Sequence, residues 1–136
     1  MALRTVSVPA AMEAAFAKAE ELVSAYFAKR SDDPAQAKLE ISGERYLLVR
    51  ASSLSVEFFG LVQDLYGAGR EEEADTFSRN ILFDLAHALG RSDAREFHRQ
   101  MKVTDPIERL SAGPVHFAHS GWASVKILPE SAPEPG

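Results

Sequence analysis

The sequence predicts an α+β fold: an N-terminal helix, a β-hairpin, several packed helices, then a C-terminal pair of antiparallel strands. Three observations predict it. Apolar residues recur at helical spacing through residues 9–30, PAAMEAAFAKAEELVSAYFAKR, and again through residues 71–89. Apolar and polar residues alternate in KLEI, directly before a Ser-Gly pair. The stretch SAGPVHFAHSGWASVKILPES places short apolar runs on either side of Ser120-Gly121.

The first helix starts at Pro9, which suits a first turn because its missing N–H has no partner there to lose. Met12, Phe16, Ala19, Val23 and Tyr26 follow 4-3-4-3 spacing and share one face, which Leu22 and Phe27 widen. Such a stripe packs either on the chain's own domain or on a second subunit; it is wider than one small domain requires, so these five residues are the expected dimer interface. SDDPAQA, residues 31–37, reads as a turn-rich linker. In the hairpin that follows, the tight turn falls at Ser42-Gly43 or Gly43-Glu44. Residues 46–49 form an apolar run suited to a strand buried on both faces.

Ser52 or Ser53 is placed to cap the next helix, whose apolar face is Phe58, Leu61, Val62 and Leu65. Gly67 and Gly69 stop it. Glu71, Glu72 and Glu73 then begin a longer helix, where the helix dipole favours acids. Its stripe is Phe77, Ile81, Leu85 and Leu89, with Ala74 and Ala88, and Gly90 is its expected break. Ser92 caps a short helix carrying Phe97 and Met101. Thr104-Asp105-Pro106 opens one more turn, and Gly113-Pro114 ends it. Residues 115–119 and 122–128 read as the closing strands.

With 136 residues, 46% hydrophobic and 26% charged, the chain suits one globular domain, read as residues 1–128. PESAPEPG, residues 129–136, reads as a linker or a cut end. A net charge of -5 argues against direct nucleic-acid binding. Cysteine is absent, which excludes disulfides and thiolate metal sites within the segment. No apolar run is long enough to span a membrane, and MALRTVSVPA lacks a signal-peptide core, so the expected location is cytoplasmic.

Residues three apart on a strand point to opposite faces, so His116 and His119 are not expected to share a metal, and no metal or cofactor is expected. His87, inside FDLAHALG, reads as a buried structural histidine, and His98 as a surface one. No G-x-S-x-G elbow is present, and Gly67-Ala68-Gly69-Arg70 lacks the lysine and preceding strand of a phosphate loop. Phe117 and Trp122 remain as candidates for a ligand wall.

Residues 39–131 resemble the XylR-type N-terminal domain, the sensory segment of activators of aromatic catabolism. The resemblance is carried by LLVRASSLSVEFFGLVQDLYGAGREEEADTFSRNILFDLAHALGRSDAREFH and by TDPIERLSAGPVHFAHSGWASV. It implies a bacterial sensor module without catalytic activity. It also implies that the chain is the front half of a longer protein, ending in a sigma-54-dependent activator or a histidine kinase. In the family, this front half supplies dimer contacts and one wall of an aromatic-ligand pocket. The back half supplies the other wall and a zinc held largely by cysteines. Phenol-sensing relatives carry a histidine at the third position after A-G-P. Here that position is Phe117, and the histidine, His116, comes one place earlier. On a strand that shift reverses the face, so phenol sensing does not carry over. The expected ligand-binding residues are His116, Phe117 and Trp122, and the expected partners are a second copy and a small aromatic molecule. Two other readings stand beside this one: a protein–protein adaptor that has lost ligand binding, and a small hydrolase using His116 or His119 as general base.

Overall fold

The computed structural model describes residue 3, residues 5–102 and residues 104–131. It divides into two compact units. The first combines the residues up to Tyr46 with those from Ala94 onward, and the second is Leu47–Asp93.

The first unit is built on α1 (Glu13–Phe27), entered through a 3₁₀ turn at Ala10–Met12 behind Pro9. The predicted stripe is real as a helix face: Phe16, Ala19, Val23 and Tyr26 are all buried, and Met12 packs at the edge. What covers that face belongs to the same chain. Val6, Ile41, Phe97 and Val115 join the four residues in one core. The helix α4 (Pro106–Ser120) makes the most extensive contact with α1. Lys18 Nζ reaches Glu108 Oε1 at 2.8 Å across this pair. The face offered to a second subunit is therefore occupied within the chain.

A three-stranded antiparallel sheet packs its apolar residues on this core. Its order is β2 (Arg30–Asp33), β3 (Lys38–Ile41), β4 (Glu44–Tyr46). The β3–β4 hairpin is the one the sequence predicts, with Ser42 and Gly43 both at positive φ, 52° and 86°. That pair of angles matches the right-handed twist of the strands it joins. Ser42, which has a Cβ, is held there because its hydroxyl donates to the Tyr26 carbonyl at 2.9 Å. Two expectations fail here. Residues 30–33, expected as the end of the first helix and the start of the linker, are a strand, paired from Arg30↔Ile41 to Asp33↔Lys38. Residues 47–49 lie outside the sheet and are exposed.

The C-terminal antiparallel pair is also absent. Residues 106–120 are one helix, and the remaining strand, β5 (Val125–Lys126), pairs parallel with β1 (Val6–Ser7). Asp105 caps α4 by accepting from the Glu108 N–H at 3.0 Å, with Pro106 at the first helical position, as the sequence suggests. Gly113-Pro114 does not end it. Pro114 has no N–H for the carbonyl four residues back, which costs a helix interior about 3 kcal/mol. Ser111, Ala112, Val115 and His116 are all buried. Their burial holds the segment helical despite the proline.

The second unit contains α2 (Val56–Tyr66), which a 3₁₀ turn at Ala51–Leu54 precedes. Ser52 and Ser53 do not cap α2; their hydroxyls donate to the Glu57 carboxylate at 3.1 and 2.8 Å. Gly67 and Gly69, at φ 78° and 85°, separate α2 from α3 (Glu71–Met101). The rings of Tyr66 and Phe77 meet at 5.9 Å, and Val62, Ala74 and Ser78 are buried. The helix α3 passes Gly90 without a break. Among the described residues, no helix is long and apolar enough to cross a membrane.

Candidate functional site

The residues singled out in the sequence gather on the C-terminal half of α4, though not as two strand faces. One helical turn brings His116 and His119 to the same side. Both meet Phe27 at the end of α1. The His119 ring stacks on Phe27 at 5.3 Å with 14° between planes, and His116 lies 5.5 Å from the same ring. Phe97 closes over His116 at 5.0 Å, and Tyr26 meets Phe97 at 4.9 Å. His116 is thus a core residue, buried among aromatic rings. Strand geometry therefore does not separate the two histidines. No group of three or more metal-ligating side chains occurs among the described residues.

Phe117 points elsewhere. It is 43% exposed, and Trp122, just beyond the helix, is 55% exposed. Their backbones are tied together. Gly121 takes a left-handed conformation (φ 80°), which lets the Trp122 N–H donate to the Phe117 carbonyl at 2.9 Å. The Gly121 N–H donates to Ala118 at 3.3 Å, completing a Schellman cap. The Ser120 hydroxyl donates to the His116 carbonyl at 2.7 Å. Beside this cap is an open depression of about 580 Å³, lined by Thr5, Ala118, Gly121, Trp122, Ala123 and Ser124. The Thr5 hydroxyl oxygen is buried and has no hydrogen-bond partner among the described residues.

Phe117 and Trp122 face water, and His116 stands behind Phe117 with its ring 6.4 Å away. Sequence reasoning named all three residues but missed Phe27 and Phe97 as the rings that bury His116. Their approach depends on α1 and α4 meeting, which no local pattern encodes. His87 departs from expectation in the opposite sense: it is exposed on α3, 6.1 Å from the ring of Phe83.

Compared with known proteins, no family model matches the chain, and neither a curated protein nor a solved structure matches it.

Proposed function

We propose that the chain is a non-catalytic sensory and dimerisation module of a bacterial signal-transduction protein, in which Phe117 and Trp122 form one wall for a small aromatic ligand. The observation that carries this reading is the exposed aromatic pair held by the α4 cap. Two large π faces kept in water at fixed backbone spacing suit a planar apolar partner. The resemblance to the XylR-type sensory domain points the same way. The burial of His116 favours an apolar or weakly polar ligand over one recognised through its hydroxyl. A general base needs room for its substrate, and His116 is walled in by rings, so the hydrolase reading has less support.

Trp122 is the chain's single tryptophan, so its emission reports directly on this wall. Titration with benzene, toluene and phenol is expected to change that emission saturably and to raise the melting temperature by mass action. Phe117→Ala is expected to weaken binding about tenfold, with the far-UV circular dichroism unchanged. If none of the three compounds alters emission or melting up to millimolar concentration, the adaptor reading replaces the sensory one.

A further inference from the structure

We infer that α3 pairs antiparallel with the α3 of a second copy of this chain, across the face formed by Ile81, Leu85, Ala88 and Leu89. This rests on the dimerising role proposed above and gives that role an interface other than the α1 stripe.

The helix α3 is covered along only part of its length. Its first turns bury Ala74 and Ser78, and Phe77 meets Tyr66 at the end of α2. Farther along, the cover ends. Every residue from 83 to 92 is exposed, and Ile81, Leu85 and Leu89 are 42%, 42% and 45% exposed. The seam nevertheless continues in the sequence. Ala74, Ser78, Ile81, Leu85, Ala88 and Ser92 keep unbroken 4-3 spacing, so the buried start and the exposed remainder form one face. A helical stretch exposed on all sides is marginal in water, because isolated helices gain little beyond their own backbone bonds. An apolar stripe of this length marks an interaction surface.

The pattern selects a copy of itself as the occupant. About the level of Phe83 the stripe is symmetric: Ile81 mirrors Leu85, Ser78 mirrors Ala88, and Phe77 mirrors Leu89. A two-fold interface needs this self-complementarity. The small side chains among them allow close approach of the two backbones. Charge sets the direction. Glu71, Glu72, Glu73 and Asp75 crowd the start of α3, and Arg91 lies near the far end of the seam. Antiparallel pairing about this level sets Arg91 of one copy opposite Asp75 of the other. Parallel pairing would stack the two acidic turns and align the helix dipoles.

Sedimentation equilibrium of the full chain at micromolar concentration is expected to give twice 14.9 kDa. Leu85→Asp, at an exposed position, should give a folded monomer. Arg91→Glu should weaken the dimer at least about tenfold, and Asp75→Arg added to it should restore most of the loss. Orientation is read by single cysteines, since the chain has none of its own. Asp84→Cys, near the two-fold axis, should oxidise to a linked dimer, and Phe77→Cys should not. The opposite cross-linking result overturns the antiparallel pairing. A dimer that survives Leu85→Asp overturns this interface while leaving the dimerising role intact. A wild-type monomer at every concentration overturns both.

Discussion

The hydroxyls of Tyr26 and Tyr46 lie 2.9 Å apart, joining the end of α1 to the last strand of the antiparallel sheet. Tyr46 also packs against Phe27, ring to ring, at 6.5 Å. Tyr46→Phe keeps that packing and removes only the hydroxyl. The expected loss is about 1 kcal/mol, read as a lower urea midpoint with an unchanged slope. An unaltered midpoint would mean that the bond contributes nothing net.

Val23 is completely buried in the first unit's core. A carboxylate placed there has no cationic partner, and the cost of burying it, several kcal/mol, rivals the stability of a small domain. Val23→Asp should therefore unfold the first unit, seen as loss of near-UV dichroism and of cooperative melting. A folded Val23→Asp protein with altered association would instead show that the α1 face is an intermolecular seam.

Pro114 offers a test of the helix itself. Pro114→Ala returns an N–H to the interior of α4 and removes the ring clash, which together outweigh the added freedom of the unfolded chain. The expected gain is about 1–2 kcal/mol, visible as a higher melting temperature. If residues 115–119 were a strand entered through a Gly-Pro turn, the same change would be neutral or destabilising.

Acid should erode stability through three carboxylates held below the ordinary value. The Gly69 N–H lowers Glu71, the Arg70 guanidinium lowers Glu73, and Arg99, followed by Gln100, lowers Glu96. In this range the unfolded chain binds more protons than the folded one, so stability rises with pH. The contribution is fully present above the ordinary value of 4.5 and is lost as pH falls through the lowered folded values. Glu71 and Glu73 are exposed and Glu96 is only half-buried, so the effect should be small and should shrink in 1 M salt. A melting temperature that rises on acidification from pH 5 to pH 3 would contradict these assignments.

Much of the local structure is legible in the sequence because its causes lie within a few residues. The α1 stripe, the Ser42-Gly43 turn, the glycine stop after α2 and the Asp105-Pro106 start of α4 are of this kind. Each depends on periodicity, a cap or a required φ. Phe117 and Trp122, the residues of the proposed wall, are legible for the same reason, since they stand out by type and position.

The remaining features were decided by contacts between distant segments. The strand Arg30–Asp33 has no apolar alternation; it forms because β3 offers it a register. The pairing of β1 with β5 joins two-residue segments from opposite ends of the chain. Residues 111–120 contain a Gly-Pro break and a strand-like alternation, yet they are helical, because α1 buries Ser111, Ala112, Val115 and His116 along one helical face. The same packing moved His116 from the expected wall into the core and left Phe117 outside. A sequence specifies which conformations a segment can adopt cheaply. Which one it adopts, when two are close in energy, is set by the surface that segment is packed against.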